Sequence, residues 1–130
     1  MTYDNSIKKI AELYDARITS TKDAVKAAGQ WGSDDFVPLI CKEICSKIKL
    51  KQSDTILELG CGTGVFTRHL LTMTINKLTL NDISPVMINT LKSRLSIPSN
   101  TKFLIGNAEK ISLEKTDLIC ANAVFQWFLN

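Results

Sequence analysis

From residue 55 onward short apolar runs alternate with stretches of helical period, and this alternation constrains the fold more than any other feature. Thr55–Leu59, Lys77–Asp82, Lys102–Gly106 and Asp117–Ala121 read as strands. Thr63–Leu71, after the first, reads as a helix. After the second, Ser84 is placed to cap a helix with Pro85 at its first position and Val86, Met87, Leu91 and Leu95 along it. The order strand, helix, strand, helix, strand, short connection, strand predicts an α/β fold with a parallel sheet. Leu118-Ile119-Cys120-Ala121 is continuously apolar, as strands buried on both faces are.

Residues 1–52 have a different character and read as helices. Ile7, Ile10, Ala11, Tyr14 and Ile18 recur at steps of three and four behind candidate caps at Asp4, Asn5 or Ser6. A second helix is predicted over Lys22–Ala28, stopping at Gly29. After the polar turn Gln30–Asp35 comes a third, capped by Asp34 or Asp35, with Pro38 in its first turn. Its apolar face is predicted as Phe36, Val37, Ile40, Cys41, Ile44, Cys45 and Ile48. The chain is therefore divided into an N-terminal helical segment, 1–52, and a core, 53–130.

Composition removes several function classes. The 16 Lys and Arg and 13 Asp and Glu are spread along the chain with no basic run, which argues against a nucleic-acid partner. No apolar run reaches the roughly 18 residues that span a bilayer, so no membrane is expected. Met1–Asn5 lacks a basic stretch leading into an apolar one, and a cytoplasmic location is expected. Cys41, Cys45, Cys61 and Cys120 are read as buried reduced thiols. His69 is the single histidine, so no metal site is predicted.

Three of the six glycines fall within five residues, in Glu58-Leu59-Gly60-Cys61-Gly62-Thr63-Gly64, between a strand and a helix. Glycine lets ligand atoms approach the backbone, and the start of the following helix offers free N–H groups. Asp82 ends the next strand, 24 residues after Glu58, where a carboxylate can accept from both hydroxyls of a ribose. The third glycine of a dinucleotide fingerprint would stand at Val65, which disfavours an NAD-type oxidoreductase. No Gly-Lys-Ser/Thr follows, so the loop is not a Walker-type phosphate loop.

Glu58–Gly64, Asp82-Ile83-Ser84-Pro85-Val86-Met87 and Gly106-Asn107-Ala108-Glu109 together resemble the successive motifs of class I S-adenosylmethionine-dependent methyltransferases, from about Thr55 to the end of the chain. The resemblance implies a Rossmann-like sheet in the order 3-2-1-4 and S-adenosylmethionine as cofactor, with S-adenosylhomocysteine as product. It implies that Gly60, Cys61, Gly62, Thr63 and Gly64 line the methionyl part and ribose, with Glu58 supporting the loop. Asp82 would hold the ribose hydroxyls, Ile83 would pack on the adenine, Asn107 and the Ala108 N–H would read the adenine edge, and Met87 and Glu109 are further cofactor-binding candidates. The family usually has Asp where this chain has Asn107, whose amide oxygen can still accept from the adenine amine.

Ala121-Asn122-Ala123-Val124-Phe125-Gln126-Trp127 resembles the Ser-Asn-Ala-x-x-Gln-Trp segment of a narrower group. That group comprises the malonyl-carrier-protein O-methyltransferases of biotin synthesis and the trans-aconitate methyltransferases. It implies a carboxylate acceptor, Asn122 beside the methionyl group, and Gln126 and Trp127 on the substrate side. Tyr14-Asp15 is similar to a Tyr-Asp element of the biotin-pathway enzymes. Tyr14 then either reaches the methionyl carboxylate as a lid residue or packs the first helix. Two alternatives stay open: methylation of another small molecule, such as a trans-aconitate-like acid or quinone precursor, and a non-catalytic cofactor-binding module. The family domain has seven strands, whereas this chain reaches Asn130 just after the fourth. The fourth strand is therefore expected to be an open edge that favours self-association.

Overall fold

The computed structural model describes residues 3–21, 37–73 and 75–122. Helix α1 spans Tyr3–Thr21 and α2 Val37–Lys47. Strand β1 (Thr55–Leu59), the short α3 (Thr67–Leu70), β2 (Lys77–Asp82), α4 (Pro85–Arg94), β3 (Lys102–Ile105) and β4 (Leu118–Ala121) follow. The helix predicted over Lys22–Ala28 and the turn before α2 lie outside the described residues.

The four strands form one parallel sheet in the order β3-β2-β1-β4, as the resemblance implied. β1 is interior, with Glu58 opposite Leu80 on β2 and Cys120 on β4. Its start is tied to β4 by Asp117, whose carboxylate accepts from Thr55 N–H at 2.8 Å while its own N–H donates to Thr55 C=O at 3.1 Å.

The main core cluster lies on one face of this sheet, and Leu57 and Leu59 of β1 are buried on the other. Ile56, Leu78, Leu80 and Cys120 point into the cluster and meet Phe66 and Leu70 from around α3 and Ile88 and Leu91 from α4. α2 adds Cys41 and Cys45, both free thiols, so this helix belongs to the core of the sheet. Its predicted apolar face is corrected in part: Ile40 and Ile44 are exposed, as is Leu39 at 68%. The helix packs beside α3 through its two small cysteines, and the larger residues flanking them are left outside. Ile119 on β4 is 53% exposed, as expected of an open fourth strand that carries apolar side chains on both faces.

Two helix starts also differ from expectation. α1 begins at Tyr3, which puts Asp4, Asn5 and Ser6 inside its first turns. α3 begins at Thr67 and not Thr63, because Thr63–Phe66 continue the turns of the glycine loop. α4 begins as predicted, with Ser84 Oγ accepting from Met87 N–H at 3.0 Å and Pro85 in its first turn. Among the described residues no helix is long and apolar enough to cross a membrane.

Candidate functional site

The glycine loop leaves the carboxyl end of β1 with Gly60, Gly62 and Gly64 at φ +62°, +55° and +89°, values that L side chains rarely adopt. Cys61 is buried and its N–H donates to Asn81 C=O at 2.8 Å, carrying the β1–β2 pairing one residue past the strand. Thr63 is buried, and its carbonyl accepts from Arg94 Nη1 at 2.5 Å. Gly64 backs onto α4: a Cβ there would stand 2.6 Å from Leu95 Cδ1 and 3.1 Å from Leu91 Cγ. At Gly62 a Cβ would have nothing within 4 Å. The loop is thus pressed against the protein at Gly64 and open at Gly62, and the opening is a cradle that any side chain would fill.

Asp82 lies at the end of β2, facing this loop. Its Oδ2 accepts from Gly62 N–H at 2.8 Å and its Oδ1 from Ser84 N–H at 2.9 Å. Burial raises its pKa, the N–H groups of Ser84, Gly62 and Ile83 pull the other way, and the nearby Asp15 charge adds to the rise. Each carboxylate oxygen keeps acceptor capacity beyond these bonds, since a carboxylate offers about four lone-pair sites. Glu58 lies deeper, enclosed in the sheet, and accepts from Thr67 Oγ1 at 2.6 Å. Desolvation pushes its pKa up to about 8, against the Thr67 hydrogen bond and with help from the Asp82 charge. Glu58 therefore holds the start of α3 behind the loop and has no access to a ligand.

The third segment follows β3. Gly106 N–H donates to Asp82 C=O at 2.9 Å, which brings Asn107–Glu109 alongside the end of β2. Asn107 Oδ1, the oxygen expected to face an adenine amine, accepts from Glu109 N–H at 3.0 Å within its own turn. Ala108 and Glu109 are half-buried, as is Ile83. Met87 has no exposed surface: its side chain is in the protein interior and its N–H serves the Ser84 cap. Asn122 is half-buried just past β4, and the loop, Asp82 and Asn122 all sit at carboxyl ends of strands. Tyr14 lies on α1, its side chain outside those described, and Gln126 and Trp127 lie outside the described residues.

Strand order, a glycine loop with an open cradle and an acid at the neighbouring strand end define a recognisable arrangement. A family described as "Methyltransferase domain" matches residues 56–130. The chain belongs to that methyltransferase family. It is 44% identical over 79 residues to a malonyl-[acyl-carrier protein] O-methyltransferase of Ilyobacter polytropus, covering 59% of this chain and 30% of that protein. It is 32% identical over 123 residues to a malonyl-[acyl-carrier protein] O-methyltransferase of Acetivibrio thermocellus, covering 93% of this chain and 41% of that protein. A solved phosphoethanolamine N-methyltransferase of Haemonchus contortus, in complex with phosphoethanolamine and S-adenosylhomocysteine, superposes with a TM-score of 0.77 at 19% identity, over 98% of this chain and 27% of that one. The last likeness concerns the fold, and the chain spans well under half of each of these proteins.

Several residues that shape this candidate site were not singled out from the sequence. Asn81, buried beside Asp82, donates from Nδ2 to Leu104 C=O at 2.8 Å and Gly106 C=O at 3.1 Å, fastening the start of the Asn107–Glu109 segment to β2. A polar residue within an apolar strand was its only signal. Thr67, Arg94 and Asp15 bind across 9, 31 and 69 residues of sequence, separations over which pattern carries no information.

Proposed function

We propose that this chain is the cofactor-binding part of an S-adenosylmethionine-dependent methyltransferase acting on a carboxylate, the malonyl thioester of an acyl-carrier protein. The observation that carries the reading is Asp82 held by Gly62 N–H beside an open glycine cradle. The residues fit the cofactor: Asp82 would accept from ribose hydroxyls, Gly60–Gly64 would face the methionyl part, and Ile83 and Asn107–Glu109 would lie on the adenine side. Tyr14, Asn122, Gln126 and Trp127 would border the methionyl group and acceptor. When bound, the sulfonium supplies an activated methyl group. Malonyl-carrier-protein methyltransferases among the relatives support the choice of acceptor, and the motif resemblance supports biotin synthesis as its setting.

A carboxylate acceptor asks little acid–base chemistry of the protein. It is ionised at neutral pH, so no base has to expose the nucleophile. The chain's part is to orient the reactants and exclude water, and orientation supplies roughly 7 to 11 kcal/mol in favourable cases. Glu58 is enclosed, and His69 lies on α3, behind the loop, with its pKa lowered by burial. Neither is assigned a role in proton transfer. In this reading α1 belongs to the substrate-side lid, residues 53–130 form the cofactor core together with α2, and the protein works in the cytoplasm.

Calorimetry with S-adenosylhomocysteine and with NAD tests the site, and methyl-ester formation on malonyl-carrier protein tests the acceptor. Binding of the first ligand and not the second, with a carrier-protein methyl ester as product, is the expected result. Binding of NAD alone would overturn the cofactor assignment. Ligand binding with methyl transfer only to free acids would replace the acceptor.

A further inference from the structure

Four groups form a continuous hydrogen-bonded series across the site. Gly62 N–H donates to Asp82 Oδ2, Ser84 N–H donates to Asp82 Oδ1, and Ser84 Oγ donates to Asp15 Oδ1 on α1. The Ser84 oxygen also accepts from Met87 N–H at 3.0 Å, so its position is set by the helix it caps. Helix α1 packs on α4, and Asp15 is half-buried in that contact. One serine thus connects two carboxylates, one at the end of β2 and one on the N-terminal helix.

We infer that Asp15 is a positioning residue for the cofactor, acting through Ser84 on Asp82, and that docking of α1 and readiness of the ribose site are one event. The argument rests on the functional reading above and on a count of protons. The Ser84 hydroxyl has one proton to donate. Given to Asp15, that proton is not available to Asp82, whose remaining acceptor capacity is left for ribose hydroxyls. Without Asp15 the hydroxyl turns to another acceptor, and the Ser84 turn that presents its N–H to Asp82 loses its outer anchor. The same hydrogen bond is an anchor of α1 against α4. A ligand that needs Asp82 ordered therefore favours α1 docked, and α1 docked favours the ligand, by the reciprocity of coupled equilibria.

The full chain and its variants are titrated with S-adenosylhomocysteine by calorimetry. Asp15→Ala is expected to weaken binding roughly tenfold, within the range found for residues of one hydrogen-bonded network. Asp15→Asn, which keeps an oxygen to accept the Ser84 proton, is expected to stay within about threefold of the unaltered chain. In an Asp82→Asn background Asp15→Ala should cost little further affinity, because its effect passes through Asp82. Hydrogen exchange gives a readout independent of affinity: the ligand should slow exchange of α1 amides in the unaltered chain and not in Asp15→Ala. If Asp15→Ala does not fold, Ser84→Ala interrupts the same series and should show the same coupling to Asp82. Unchanged affinity in Asp15→Ala, or a full additional loss in the Asp82→Asn background, overturns the proposal while leaving the cofactor assignment intact. Failure of the unaltered, folded chain to bind S-adenosylhomocysteine overturns both.

Discussion

Glu58 occupies the interior strand of the sheet, and its titration should be visible in the stability of the whole chain. Its pKa is about 8 in the folded protein against an ordinary 4.5. Below the lower value both states hold the proton and the full stability is present. Between the two values the folded state keeps a proton that the unfolded state has lost. Stability therefore falls as pH rises, by up to about 1.4 kcal/mol per pH unit, and levels off above the folded value. Asp82, also raised by burial, adds to the fall in the same direction. Glu58→Gln is expected to flatten this profile and to exceed the unaltered chain in stability at pH 8, as urea midpoints from pH 5 to 8 would show. Parallel profiles for the two proteins would mean that Glu58 is ionised in the fold. The two inner glycines separate stability from binding in the same way. Gly64→Ala places a methyl against Leu95 and Leu91 at φ +89°, with an expected loss of about 2 to 3 kcal/mol. Gly62→Ala meets no protein atom, and its left-handed backbone costs only about 1 to 2 kcal/mol, yet its methyl stands in the cradle. Melting should rank Gly64→Ala as the worse variant and calorimetric binding should rank Gly62→Ala as the worse.

Among the elements, α4 shows what a single sequence can specify. Ser84 and Pro85 announce its start, and the Ser84 hydroxyl does accept from Met87 N–H. Ser84→Ala removes that acceptor together with the contact to Asp15, so it should lower stability by about 1 to 2 kcal/mol. Thermal melting would register this, and an unchanged midpoint would mean that α4 starts without its cap. Strand β1 was legible for the same kind of reason, as a short apolar run ending at Gly60, and β2 as the alternating Leu78 and Leu80 ahead of the Ser84-Pro85 helix start. α3 was not. Thr63-Gly64-Val65-Phe66 carries nothing that forbids a helix, and only the left-handed turn at Gly64 and the burial of Phe66 delay it to Thr67. α2 failed differently: its period was right, but the stripe buried in the core is the narrow Cys41–Cys45 pair. A sequence shows which residues share a helix face, not how much of that face the fold covers.

At the scale of the molecule, the site's components could be read but not their connections. The glycine loop and Asp82 stand where motif spacing put them, while the Asp15–Ser84 contact joins residues 69 apart and depends on the fold to exist. The faces of the sheet were equally hidden. Parallel strands read as apolar throughout, yet α2, α3 and α4 cover one face, leaving Ile119 53% exposed on the other, with Leu113 exposed in the preceding loop. Among the described residues β4 pairs with β1 alone, so its outer edge offers unpaired N–H and C=O groups next to that apolar surface. An open parallel edge with an exposed isoleucine is a template for a second chain, and a protein consisting of residues 1–130 alone should self-associate as its concentration rises. Ile119→Lys should oppose this by placing charge at the exposed edge of this face, at little cost to folding because the residue makes little of the core. Sedimentation velocity over a range of concentrations should show a rising mean mass for the unaltered chain and a constant one for the variant, with similar melting midpoints. A monomer at every concentration in both would mean that this edge and face are covered in solution. A variant that associates as strongly as the parent would move the contact away from β4.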